Sequence, residues 1–191
     1  MRILVLGRLG FGDAALAGLA AERGTHAAIA EAWRRSGPDM TGALRGEHVL
    51  AVWDEARGRG VVAVDRFSTY PLFWGERAGR LAFATRPASV CDLLGTACEI
   101  EPRAVHAYVY FHMIPAPLSI LRGVQRLDAG QAIVLERSGH RIVQHWSPAF
   151  VEDAPFEFGR ARDAFRAALR QGVDECIAGM PRERLGCFLS G

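Results

Sequence analysis

No stretch of this chain approaches the roughly 20 consecutive apolar residues that a membrane-spanning helix needs, so no membrane partner is expected. The opening Met-Arg-Ile-Leu-Val-Leu-Gly is basic and then apolar. It is too short for the hydrophobic region of a secretory signal with its cleavage site, and it reads as a strand. A cytoplasmic address is the resulting expectation. An excess of one charge is also missing. The 23 basic and 21 acidic side chains leave a net charge of +2, too balanced for a nucleic-acid or anionic-membrane surface. The Arg-rich pieces at 57–60 and 181–184 read as turns. Cysteines are few, and Cys91, Cys98, Cys176 and Cys187 form no Cys-x-x-Cys pair and no zinc-like pattern with histidine. They read as reduced, structural thiols, Cys176 and Cys187 lying in apolar surroundings, and no metal site is expected. The six histidines are scattered; His106 and His112 flank an aromatic run and read as packing residues.

What is present is an ordinary globular composition. Half of the 191 residues are hydrophobic and 23% are charged, enough for a real core, in one domain or one domain plus part of another. The spacing predicts helices over 13–24, with Asp13 at its start, and over 25–37, with Thr25 as N-cap and Gly37-Pro38 as the stop. Short apolar runs at 47–54, 60–65, 71–74 and 80–85 read as a meander. Both alternate faces of "HVLAVW" are mostly apolar, so the sheet is expected to be covered on both sides. Two short helices follow at 87–94 and 102–111, the second opened by Glu101-Pro102, then a Pro-stiffened connection at 114–120. "QAIVLE" and "RIVQHW" flank residues 137–140 as a hairpin. A polar, Pro-bearing linker at 147–155 marks a domain boundary. Beyond it, 156–177 reads as an amphipathic helix with Phe158, Ala161, Phe165, Ala168, Leu169 and Cys176 on one face. Leu185–Leu189 reads as a buried strand running into Ser190-Gly191.

Three pieces in order carry a family resemblance. The first is "LRGEHVLAVWDEARGRGVVAVDRFSTYPLFW" (44–74), with its Asp65-Arg66-Phe67 and Pro71-Leu72. The second is "IPAPLSILRGVQRLDAGQAIVLE" (114–136), and the third is "RLGCFLSG" (184–191) after a long helix. Together they resemble asparagine synthase (glutamine-hydrolysing) and its relatives. The resemblance implies an α+β fold. An Ntn-hydrolase-like αββα sandwich, a degenerate class II glutamine amidotransferase domain, would occupy residues 1–150. The first helix and strand of a truncated α/β ATP-pyrophosphatase domain would occupy 151–191. It also implies ATP and Mg²⁺ in the intact family, with Leu189, Ser190 and Gly191 as the ATP-binding residues that open a Ser-Gly-Gly-x-Asp-Ser loop. Glycines there let backbone N–H groups approach phosphate, and an acidic residue helps hold magnesium. A Ser-Gly terminus by itself is a flexible end; the strand and helix before it suggest the loop.

Departures from the family pattern lead to an expectation of no catalytic residue in this chain. The family's nucleophilic cysteine directly follows the initiator Met, its α-amino group serving as base; here Arg2 stands there. The family's glutamine-holding arginine lies upstream of anything present here; its Asn-Gly-Glu, which supplies an oxyanion donor and binds the glutamine amine, falls near Leu6-Gly7-Arg8, and its Ser-Asp appears as Thr25-His26. A start placed too far downstream would account for the missing cysteine but not for Leu6, Arg8 and His26. Asp65-Arg66 reads as a structural ion pair or turn. Without the rest of the pyrophosphate loop, neither ATP nor Mg²⁺ is expected to bind these residues alone. Three functions follow as alternatives. The chain is part of an ATP-dependent amide-forming ligase acting on a small-molecule or peptide carboxylate with a dead glutaminase; or of a β-lactam synthetase or lasso-cyclase-like relative; or it is a non-catalytic interaction domain. A homodimer is an admissible assembly.

Overall fold

A computed structural model of the chain describes residues 1–150, 152, 157–178 and 180–188. Its contacts divide it into two compact units, Met1–Pro148 and Ala149–Gly191.

The first unit is built on strands β1 (Arg2–Gly7), β2 (Gly10–Phe11), β3 (Leu44–Arg45), β4 (His48–Asp54), β5 (Arg59–Val64), β6 (Phe73–Arg77), β7 (Arg80–Ala84), β8 (Gln125–Arg126), β9 (Gln131–Glu136) and β10 (Gly139–Gln144). A five-stranded sheet runs in the order β1-β4-β5-β9-β10, and its neighbours are antiparallel. A second sheet has the order β7-β6-β8, and β2 pairs with β3. The expected single meander is therefore divided between two sheets. A run of short strands states their order along the chain but not their partners, and the Asp65–Leu72 corner carries the chain from one sheet to the other.

Side-chain alternation assigns each face of the large sheet its own cover. Leu50, Val52, Val61, Ala63 and Ala132 point to helices α1 (Ala14–Arg23) and α2 (Thr25–Ser36), meeting Leu16, Ile29 and Trp33. Val49, Val62, Val64 and Ile133 point the other way and meet Leu72, Trp74 and Leu127. On the far face of the second sheet, Ala82 packs with Val90, Cys91 and Leu94 of α3 (Pro87–Leu94). The layers are thus helix, sheet, sheet, helix, as expected. Leu50, Val61 and Ile133 are fully buried, each contributing about 1.5–3 kcal/mol over its exposed state.

Local signals set most helix ends. Asp13 caps α1 by accepting from Leu16 N at 2.9 Å. Gly24, not Thr25, is the N-cap of α2, and it supplies no side-chain bond. Pro38 ends α2 as an α-helix, but the chain continues as a 3-10 helix over Gly37–Ala43 that buries Met40, because Pro at the start of such a turn lacks only an N–H that would be unpaired anyway. The fourth helix, α4 (Pro102–Phe111), buries only Ala104 and Ala107. The β9–β10 turn is Arg137-Ser138, so Gly139 and His140 already belong to the strand.

In the second unit, α5 (Phe158–Ile177) is capped by the Glu157 carboxylate, which accepts from Gly159 N and Arg160 N at 2.8 and 2.6 Å. None of its described residues is buried. A short 3-10 turn covers Arg182–Arg184, and Leu185–Phe188 have no regular structure and are exposed. The expected strand is therefore absent over these four residues. A strand needs a neighbour for its N–H and C=O groups, and no described strand pairs with them. Leu189, Ser190 and Gly191 lie outside the described residues. No described helix is long and apolar enough to cross a membrane.

Candidate functional site

Where β1 leaves the large sheet, Val5, Gly7, Arg8 and Leu9 form one wall of an open depression of about 440 Å³, and Thr25 and His26 form the other. Gly7 pairs with His48 and turns the chain outward at φ 89°. A Cβ there would lie 2.3 Å from the Glu47 carbonyl oxygen and 2.5 Å from Tyr70 Cε2, so only glycine fits. The turn delivers Arg8 to the rim. Its N–H donates to Glu47 O at 2.8 Å, and its Nε donates to Glu47 Oε1 at 3.1 Å. Across the depression, Thr25 and His26 are the first two residues of α2 rather than residues preceding it. Gly7, Arg8, Thr25 and His26, read separately from the sequence, are thus brought together. Leu6 is not; it does not line the depression. The ionisable lining groups are Arg8 and His26, and Glu47 is engaged by Arg8. A cationic ligand group finds no lining carboxylate.

A second cluster lies at the end of β5. Asp65 is 2% exposed. Its carboxylate accepts from His48 N at 3.2 Å, Phe67 N at 2.8 Å, Thr69 N at 3.1 Å and Thr69 Oγ1 at 3.1 Å. Its backbone N donates to His48 O at 3.0 Å, and its carbonyl accepts from Gly130 N at 3.0 Å. Asp65 is therefore the organiser of a turn. No ion pair with Arg66 is present among the described residues; the Arg66 guanidinium instead lies 5.6 Å from the Trp146 ring centroid, and Phe67 packs on the same ring at 5.4 Å.

Two histidines flank this turn, and the sequence reading missed both. His48 is 2% exposed, with neither ring nitrogen hydrogen-bonded. Burial holds its pKa below the usual value, against the favourable charge of Asp65. His145 Nε2 lies 2.9 Å from Val64 O, and burial lowers its pKa too, against that contact. No motif announces them; a histidine at the head of the apolar run 48–52 is the one hint. His106 and His112 are exposed, and His112 forms the left-handed cap of α4. Among the described residues, no group of three or more His, Cys, Asp or Glu side chains could hold a metal ion.

Residues 22–146 match the family model of the glutamine amidotransferase domain. Over 172 residues the chain is 33% identical to proteins of Mycobacterium bovis and Mycobacterium tuberculosis named as asparagine synthetase (glutamine-hydrolyzing). The match takes in 86% of this chain and 26% of each relative, so the chain spans about a quarter of their length. Among solved structures, glutamine phosphoribosylpyrophosphate amidotransferase of B. subtilis with ADP and GMP is 13% identical. It covers 76% of this chain and 30% of its own, with a TM-score of 0.47. A structure described as the allosteric regulatory enzyme of purine biosynthesis is also 13% identical, over 76% and 29%, at a TM-score of 0.48. Likeness at that level assigns no residue a role.

Proposed function

The chain belongs to the glutamine amidotransferase domain family, and from that premise we propose that it is the amidotransferase-type part of an asparagine-synthetase-like, ATP-dependent amide-forming ligase that no longer hydrolyses glutamine. The observation that carries the second half of this reading is the depression at Gly7, Arg8, Thr25 and His26. A glutamine substrate presents an ammonium group, which needs a carboxylate at close range. Here the rim presents a guanidinium and an imidazole, and the neighbouring carboxylate of Glu47 is already paired with Arg8.

In the whole protein, ammonia or another amine would displace AMP from an adenylated small-molecule or peptide carboxylate. ATP and Mg²⁺ would be held beyond the first unit, with Leu189, Ser190 and Gly191 at the start of the pyrophosphate loop. No step of that nucleotide chemistry is assigned to described residues, none of which offers a metal-binding cluster.

The test uses the full-length gene product, with aspartate as the first carboxylate. Ammonia release from L-glutamine should stay at background, while ammonium salts support ATP-dependent amide formation. Steady glutamine hydrolysis would overturn the reading.

A further inference from the structure

Helix α4 buries two alanines and exposes its large side chains. Ala104 and Ala107 are buried, whereas Val105, Tyr108, Val109, Tyr110 and Phe111 are between 42% and 74% exposed. Val105, Tyr108, Val109 and His112 stand at i, i+3, i+4 and i+7, so they form one stripe, turned away from the two alanines. The Tyr110 and Phe111 rings meet edge to face with centroids 4.7 Å apart and carry the apolar surface round the last turn. Of Asp, Glu, Lys and Arg the helix has only Arg103, whose Nε is paired with Glu101 Oε1 at 3.0 Å. A helix on a solvated surface shows charged residues outward. One that is apolar on most sides, with its exposed residues contiguous, is a helix that becomes covered.

We propose that α4 is a dimerisation helix, covered by α4 of a second copy of this chain in an antiparallel pair about a twofold axis. A twofold contact sets a surface against itself, so a patch carrying one sign of charge repels its copy and an uncharged apolar patch does not. The stripe of α4 carries no Asp, Glu, Lys or Arg, and a charged partner would find no counter-charge on it. The area also fits. With Met113, which is exposed as well, the side chains offer roughly 600 Å² per copy, hence about 1,200 Å² for the pair, the lower limit of a stable interface. An axis passing between Tyr108 and Val109 sets each tyrosine beside the valine of the other copy, placing an aromatic anchor at the centre of the contact. A contact of this size holds with a dissociation constant on the order of 10 μM.

The experiment is sedimentation equilibrium of the whole chain from about 1 to about 500 μM, which brackets that constant. The mass should rise from 20.8 kDa towards twice that value. Val109→Asp should weaken association roughly a hundredfold, because each copy would bury an unpaired carboxylate. The circular dichroism of this variant should be unchanged, since Val109 is exposed in the single copy. Tyr108→Ser, which removes a ring without adding charge, should weaken association about tenfold. Leu4→Asp, on the exposed edge strand β1, should leave the dimer intact. A mass of 20.8 kDa at every concentration would overturn the proposal and leave α4 to a different partner. A dimer that survives Val109→Asp would overturn it as well, and its loss in Leu4→Asp would place the contact on the β1 edge.

Discussion

The Asp65 corner and the Gly7–Arg8 depression flank the same end of β4, where His48 pairs with Gly7 on one side and bonds Asp65 on the other, and they have different chemistry. At the corner every oxygen of the Asp65 carboxylate is committed to the protein's own donors. At the depression the backbone is equally constrained, with Gly7 wedged against Glu47 and Tyr70, but Arg8 and His26 on the rim are exposed side chains and no carboxylate is among the lining residues. A framework that holds its main chain in place can change its ligand-facing groups at little energetic cost. Folding therefore constrains the corner, and the depression is where functional divergence is expected.

The sharpest way to break this contrast is Asp65→Ala. Three backbone N–H groups and the Thr69 hydroxyl lose their acceptor, and each unpaired buried donor costs roughly 1–3 kcal/mol. With some of them re-paired by water, the loss should be about 3–5 kcal/mol, read as a lower urea midpoint.

An intermediate effect comes from pH. Burial holds His48 and His145 below their usual pKa, so the unfolded chain binds protons more readily than the fold does. Their contribution to stability is complete above an unfolded value of about 6.5 and is lost as pH falls below it. Denaturation midpoints should decline from pH 7 to 5, and the decline should be shallower in His48→Gln, His145→Gln. An unchanged slope in the double variant would assign the acid sensitivity elsewhere.

The smallest effect is expected at the depression itself. The Arg8–Glu47 pair is half-exposed, and such pairs contribute about 0–1 kcal/mol. Arg8→Ala should leave the midpoint nearly unchanged; a loss as large as that of Asp65→Ala would erase the distinction between the two regions.

Much of the fold was legible because its signals are local. Asp13 and Gly24 bracket α1, Pro102 opens α4, and the apolar residues on both faces of 48–53 announced a doubly covered sheet. The division into two sheets was not legible, since β5 pairs with β9 across more than sixty residues while β6 and β7 turn away. The 185–188 segment looked like a strand because it is apolar, but apolarity does not supply a neighbour. At the candidate site, Gly7, Arg8, Thr25 and His26 were recognised individually through family resemblance, and only the packing of α2 against β1 brought them together. His48 and His145 escaped notice because burial is not written in a single residue.

The Gly130-to-Asp65 hydrogen bond has a consequence for how the chain assembles. It fastens the two ends of the whole excursion from Asp65 to Gly130, which contains β6, β7, β8, α3 and α4. Registering the β5–β9 ladder is what closes that excursion, so this pairing carries a larger loop-closure entropy than the β4–β5 and β9–β10 hairpins. Because loop-closure entropy grows only logarithmically, doubling the excursion's length would cost only about 0.6 kcal/mol. Its far end can therefore lengthen or shorten while the clasp and the sheet beneath it remain the same.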